Sequence, residues 1–270
     1  MTISLNKDWR FVMLTSQEWK KYYEENARSL LQIPWQIGFD LTADEQKAIA
    51  SSVQDFQAGE SSEGRHLFQY SKNYAEQTGD YEYVEAIRLF IAEEQRHARD
   101  LAHFLQINEI PLVKTTFTDG IFRRLRQLLG NLEISIAVLI TAEIIAKVYY
   151  SALRDATNSR VLQTLCKQIL QDEVRHVEFQ AERLGILRAE RNGLLLTLTN
   201  GLQRCLFWGT CLVVWIFHKK VFLKSGYSFV EFWKHCWTEF NEAFQISRDV
   251  IRITNSNNKL VMIEQEFDNG

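Results

Sequence analysis

Proline is scarce in this chain. Only Pro34 and Pro111 occur in 270 residues, where average usage would give roughly 13. Glycine is also low, with 12 residues against roughly 19 expected. Because proline and glycine interrupt regular elements, their scarcity predicts long helices. It argues against a β-sandwich or barrel, which needs a turn every 8–12 residues or so.

Apolar residues recur at helical spacing over four long segments. The first begins at Thr42, which is predicted to form a capping box with Glu45, and continues as one helix to about residue 78. The other three cover about residues 82–106, 131–155 and 159–187. A connection over about residues 107–130, with a candidate short helix at 121–129, separates the second from the third. Paired helices with one long crossover are the connectivity of the ferritin-like four-helix bundle.

We therefore predict an all-α protein in three parts. Residues 1–41 contain an N-terminal accessory helix, residues 42–187 form the ferritin-like bundle, and residues 188–270 form a C-terminal helical extension packed on it. Ser228 and Glu231 predict a second capping box within the extension.

An apolar run in the extension, residues 205–217, has no charge, but it is shorter than the ~18 residues needed to span a bilayer. We favour a buried helix. The alternative is a helix in a membrane interface, anchored by Trp208 and Trp215.

Composition narrows the function classes. The formal charge of −3 gives no basic excess, so nucleic acid is not a predicted partner. The four cysteines form no C-x-x-C pair, which disfavours a rubredoxin-like or zinc-ribbon module. The N-terminal residues show no apolar signal core, and we expect a cytoplasmic protein with reduced thiols.

Each of the four helices carries a glutamate on its apolar stripe. These are Glu60 or Glu63, then Glu94, Glu143 and Glu173. A buried carboxylate is costly unless it is paired or bound to a metal. For Glu143, a salt bridge to Lys147 is the alternative to a metal. Glu63 gives the more symmetric spacing, but small neighbours leave room around Glu60, which we favour.

Two of these helices add a histidine three residues later, as Glu94/His97 and Glu173/His176, which places both side chains on one helix face. Chance would place an acid three residues before about 0.8 of the six histidines, and four have one. Two Glu-x-x-His helices and one glutamate from each other helix make the six-ligand set of dimetal carboxylate bundles. The other two such histidines, His66 and His103, are interpreted as surface or supporting groups.

The signature of an acid followed by Glu-x-Arg-His appears at residues 93–97 and 172–176. It resembles the ferritin-like di-iron carboxylate superfamily over about residues 42–187. The doubled form is similar to oxygen-activating members: bacterial hydrocarbon monooxygenases, ribonucleotide reductase small subunits and arylamine N-oxygenases. Storage ferritins lack the second motif. The resemblance implies two iron ions, or an Mn/Fe or Mn/Mn pair. It also implies that Glu93 and Asp172 orient ligating histidines, with Arg96 and Arg175 as their ion partners.

The predicted function is an oxidase or oxygenase that uses dioxygen and an external electron donor. An apolar or aromatic small-molecule substrate is expected because apolar side chains surround the predicted ligands. These are Phe56, Tyr70, Phe90, Ile140, Tyr149 and Tyr150. Tyr150, two turns from Glu143, is the candidate catalytic residue as an electron or proton donor, and a packed core tyrosine is its alternative. A homodimer is expected. The alternative functions are iron oxidation and storage, or a membrane-associated hydroxylase that uses the 205–217 helix.

Overall fold

The computed structural model describes residues 12–61, 64–113 and 130–268, with side chains described to residue 256. In these ranges the chain forms eight α-helices and a short 3-10 turn at Trp35–Ile37. The helices are α1 Ser16–Asn26, α2 Ala43–Glu60, α3 Arg65–Thr78, α4 Tyr81–Ile107, α5 Leu132–Asp155, α6 Arg160–Arg188, α7 Gly193–Lys224 and α8 Phe229–Asp268. The short helix predicted at 121–129 lies outside the described residues.

The four-helix bundle consists of α2 with α3, then α4, α5 and α6. α2 and α3 pack against α4, α5 packs against α6, and α4 contacts α6 across the bundle. The connection predicted over about residues 107–130 lies largely outside the described residues, between α4 and α5. α5 is buried on nearly every side, as its almost continuous apolar sequence predicts. The all-α, paired-helix prediction is confirmed.

Both predicted capping boxes form. The Thr42 backbone N–H donates to Glu45 (2.9 Å), and the Glu45 N–H donates to the Thr42 hydroxyl (3.3 Å). The Ser228 N–H donates to Glu231 (2.7 Å), and the Glu231 N–H donates to the Ser228 hydroxyl (3.3 Å). Each box satisfies backbone donors that the first helical turn leaves without partners.

The first bundle helix is not continuous, and the prediction of one helix over 42–78 is wrong at its centre. α2 ends at Glu60 and α3 begins at Arg65. Gly64 separates them with φ +122°, a conformation that L side chains rarely adopt. A Cβ at this glycine would lie 2.7 Å from Ile91 Cγ2, so close packing against α4 also requires glycine there. The break makes Glu60 the last residue of its helix.

The extension forms two long helices. α7 packs on α5 and α2, and α8 packs on α6 and α5. Within the described residues, α7 is long and apolar enough to cross a membrane by length and composition, with a mean hydropathy of 1.4 in its most apolar window. Of that window, 39% is buried against the rest of the protein. Core helices of water-soluble proteins also meet this criterion.

Candidate metal centre

The two Glu-x-x-His motifs lie on α4 and α6 and face each other across the bundle. Glu94, His97, Glu173 and His176 are all buried, none more than 2% exposed. The spacing of three residues puts each glutamate one turn from its histidine. The contact between α4 and α6 brings the two motifs together.

Glu60 at the end of α2 and Glu143 in the middle of α5 complete the cluster. Both are buried. Ligand atoms of the six side chains form two groups, each with all atoms within 4.8 Å of one another. One group is Glu60, Glu94, His97 and Glu173, and the other is Glu94, Glu143, Glu173 and His176. The two groups share Glu94 and Glu173, so the six side chains would hold two ions, with these two carboxylates available to both.

The Nδ1 atoms of both histidines face this centre. His176 Nδ1 lies 3.0 Å from Glu94 Oε1 and 3.8 Å from Glu173 Oε2. His97 Nδ1 lies 3.6 Å from Glu94 Oε1 and 3.8 Å from Glu173 Oε1. Each imidazole nitrogen is therefore directed at the carboxylates that the two groups share.

These inward atoms have no hydrogen-bond partner within the described part of the chain. They are Glu94 Oε1, both carboxylate oxygens of Glu173, and the Nδ1 atoms of His97 and His176. Buried polar atoms are nearly always partnered, because an unmade hydrogen bond costs about 1–3 kcal/mol. Imidazole nitrogens and carboxylates together suit iron and manganese. Two divalent cations would also balance four ionised glutamates, so the donor set fits two such ions.

The outer nitrogen of each histidine is held by the acid that precedes the glutamate of the other motif. His97 Nε2 lies 2.9 Å from Asp172 Oδ2, and His176 Nε2 lies 2.9 Å from Glu93 Oε2. A carboxylate at Nε2 favours a proton there, which leaves the Nδ1 lone pair free for a metal. The orienting role that the resemblance implied for Glu93 and Asp172 agrees with these contacts.

Asn26, at the end of α1, bridges these two acids. Its Nδ2 donates to Glu93 Oε1 at 2.6 Å and to Asp172 Oδ1 at 2.8 Å. Gln168 adds a bond to Asp172 Oδ1 at 3.0 Å, and its own carbonyl accepts from the Leu31 N–H at 2.7 Å. Neither Asn26 nor Gln168 is predicted from the sequence, because nothing in helical periodicity singles them out.

The two arginines of the motifs differ. Arg96 Nη2 donates to Asp172 Oδ2 at 2.6 Å, as the resemblance implied. Arg175 does not pair with Glu93. It pairs with Glu178, and its guanidinium lies over the rings of Trp19 and Tyr22 of α1. That implied pairing is wrong because α1 supplies an aromatic surface for Arg175.

Glu143 has the surroundings of a ligand and not those of an ion pair with Lys147. Lys147 pairs with Glu239 of α8. Gln180 Nε2 donates to Glu143 Oε1 at 3.1 Å, and His176 Nδ1 lies 3.9 Å from Oε2. The salt bridge considered as an alternative is therefore not formed.

With no metal bound, the surroundings favour protonation of Glu94, Glu173 and His176. Burial and the neighbouring carboxylates raise the pKa of Glu94 and of Glu173 well above the usual range. Burial opposes ionisation of Glu143 as well, but the neighbouring side chains of Glu173, His176 and Gln180 outweigh it and lower its pKa to about 2. Burial disfavours the imidazolium of His176, and the surrounding carboxylates outweigh it and raise the pKa. Metal binding must displace these protons.

Tyr150 contacts the cluster through Glu60. Its hydroxyl donates to Glu60 Oε1 at 2.5 Å, and burial together with the Glu60 charge raises the pKa of Tyr150 well above its usual value. Phe56 stacks on Tyr149, with 3.5 Å between ring centroids, and its ring edge meets Tyr150. Phe90 lies 4.7 Å from the His176 ring. Aromatic side chains therefore border the cluster.

The remaining candidates lie away from the centre. His66 and His103 are exposed, and His103 contacts Trp35. Glu63, the alternative to Glu60, lies outside the described residues.

Comparisons with known proteins agree with this architecture. No protein-family model matches the sequence, and no curated protein matches it. Among solved structures, the chain is similar to a point mutant of an R2-like ligand-binding oxidase with an aerobically reconstituted Mn/Fe cofactor. The identity is 16%, the TM-score is 0.58, and the match covers 91% of this chain and 97% of the other. The chain thus has the ferritin-like fold of that oxidase, as the doubled motif predicted.

Proposed function

We propose that the protein is a dioxygen-dependent oxidoreductase with a di-iron or Mn/Fe centre, which oxidises an apolar or aromatic small molecule. One observation carries the proposal. Six buried carboxylate and imidazole side chains converge on one centre, and five of their ligand atoms have no hydrogen-bond partner within the described residues. The fold neighbour, an oxidase with an Mn/Fe cofactor, supports the same class.

The two groups of side chains suggest a ligand assignment. Glu60 and His97 would hold one ion, Glu143 and His176 would hold the other, and Glu94 and Glu173 would contact both. Bound in this way, the ions supply redox chemistry with dioxygen, which protein side chains alone lack.

The residues of the chain orient and shield this centre. Glu93 and Asp172 set the direction of both imidazoles, and Tyr150 holds the Glu60 carboxylate. Tyr150 is also the best placed hydroxyl to donate a proton or an electron, because it contacts a proposed ligand directly. The buried aromatic side chains around the cluster exclude water and favour an apolar substrate.

Catalytic turnover requires electrons from outside the chain, and we propose an external donor. Dioxygen is the proposed co-substrate. A homodimer and a cytoplasmic location remain predictions from the sequence.

Metal analysis tests the proposal. Anaerobic reconstitution with ferrous iron, alone or with manganese, should give two ions per chain, and air should then produce a new visible absorption band with oxygen uptake. His176→Ala should lose metal and oxygen uptake together. His103→Ala is the matched control, because it removes an exposed histidine with the same acid-x-x-His spacing. Failure of the wild-type protein to bind metal would overturn the proposal, and many irons per chain would indicate storage.

A second pair of variants tests the ligand from the first bundle helix. Glu60→Ala should lower the metal content, while Glu63→Ala should retain two ions per chain. The reverse result would reassign the ligand to Glu63 without affecting the dimetal proposal.

A further inference from the structure

One face of α7 is apolar and exposed. It is formed by Leu194, Leu198, Leu202, Trp208, Leu212 and Ile216, which are 47–84% exposed. At 3.6 residues per turn they lie within an arc of about 120° and extend over about 33 Å of helix. We name these six residues the α7 stripe. Single exposed apolar residues are ordinary, but a continuous face of this length is typical of an interaction surface.

The opposite face of α7 fixes the helix to the bundle. Phe207, Cys211, Val214 and His218 are buried, and His218 Nδ1 lies 2.8 Å from the Ser52 hydroxyl of α2. To cross a bilayer, α7 would have to leave these contacts or carry the charged bundle with it. The packed helix can instead lie flat in a membrane interface.

The charges of α7 have one sign. The helix contains no Asp or Glu, and its charged residues are Arg204, Lys219, Lys220 and Lys224. Lys219 and Lys220 are exposed and directly follow the stripe. If two copies of the protein paired through the α7 stripe, neither α7 would offer an acidic partner to these lysines. Anionic lipid headgroups, in contrast, are complementary to them in charge.

Trp208 adds a side chain suited to the bilayer surface. It is half exposed and packs against Trp233 of α8, with 4.2 Å between ring centroids. Indole rings are enriched at membrane–water interfaces because they combine an apolar body with an N–H donor.

We propose that the α7 stripe docks the folded protein on an anionic lipid bilayer, with α7 parallel to the surface and Lys219 and Lys220 at the headgroups. The docking is independent of the proposed oxidoreductase function, because it is measured without turnover.

Flotation of the full-length protein with vesicles tests the docking. Wild-type protein should float with phosphatidylcholine vesicles that contain phosphatidylserine, and high salt should weaken the binding. A Leu198→Glu/Leu202→Glu variant should lower the ratio of bound to free protein at least about tenfold, since each leucine loses its burial in the lipid. Tyr81→Glu is the matched control, because Tyr81 is 64% exposed at the start of α4, and its binding should equal that of wild type.

A charge reversal separates the lysines from the apolar contact. Lys219→Glu/Lys220→Glu should reduce binding to phosphatidylserine vesicles, while Lys167→Glu, at an exposed position of α6, should not. Circular dichroism should show unchanged helix content in all variants. Wild-type protein that stays unbound, or leucine variants that float like wild type, would overturn the proposal. So would leucine variants that convert a dimer to a monomer without any change in flotation, which would assign the stripe to self-association.

Discussion

Asn26 lets the N-terminal helix contribute to the metal centre. Its amide nitrogen uses one N–H for Glu93 and the other for Asp172, and these two acids hold the outer nitrogens of both histidines. The helix that carries it is fixed by the Trp19 indole, which donates to Glu182 at 2.6 Å. Asn26→Ala should therefore release the two acids while α1 stays in place.

The magnitude follows from the partners that remain. Asp172 keeps bonds from Gln168, Arg96 and His97, whereas the remaining hydrogen bond described for Glu93 is with His176. Loss of such an outer partner commonly lowers metal affinity 10–100-fold, or about 1.4–2.7 kcal/mol. We expect this loss mainly at the ion that His176 would hold. Glu93, the acid at His176 Nε2, is left with fewer hydrogen-bond partners than Asp172.

Competition between the protein and a chelator of known affinity measures the effect. Manganese titration of Asn26→Ala should show one binding step weakened at least about tenfold and the other less affected. Asn73→Ala is the control, because it removes an exposed asparagine that bonds only Gln69 among the contacts described. If both manganese-binding steps of Asn26→Ala kept the wild-type affinity, or if Asn73→Ala lost as much affinity, Asn26 would not position the two acids.

Three further variants test the fold and the site. Burial lowers the pKa of His218 to about 4, so between pH 6.5 and 4 the unfolded chain binds a proton that the folded chain does not. The free energy of unfolding should therefore fall by about 3 kcal/mol as the pH drops from 6.5 to 4. Urea unfolding of His218→Phe should lack this pH dependence. Gly64→Ala should lower the free energy of unfolding by about 1–3 kcal/mol, because residue 64 has a positive φ and the new Cβ would contact Ile91. Gly201→Ala is the control, because a Cβ at residue 201 meets open space, and the unfolding midpoints of the two variants measure the difference. Tyr150→Phe removes the hydroxyl that donates to Glu60, and it should lower metal affinity about tenfold in the same chelator assay.

Much of this architecture could be predicted because the relevant signals are local. Helical periodicity, scarce prolines and two capping boxes define the helices to within a residue or two at most ends. The ligand candidates were visible for a related reason. Glu143 is a charged residue within an almost continuous apolar segment, and such exceptions to local sequence rules are typical of functional sites.

The features that were missed depend on contacts between distant segments. The break at Gly64 combines a positive φ with close approach to Ile91 of α4, and the helical periodicity of residues 42–78 did not identify it. Arg175 was expected to pair with Glu93, but it pairs with Glu178 and lies over aromatic rings of α1, more than a hundred residues earlier. Periodicity identifies the buried face of a helix, but it does not identify the neighbour that covers that face.

The crossed pairing of the acids shows the same limit and has a physical reason. Within one helix, Glu93 and His97 are four residues apart and could bond locally. The structure instead pairs Glu93 with His176 and Asp172 with His97. The two nitrogens lie on different sides of the imidazole ring, so Nδ1 faces the centre while Nε2 contacts the acid of the opposite helix. Each motif therefore orients the ligand of the other, and neither half of the centre is complete until α4 and α6 have packed together.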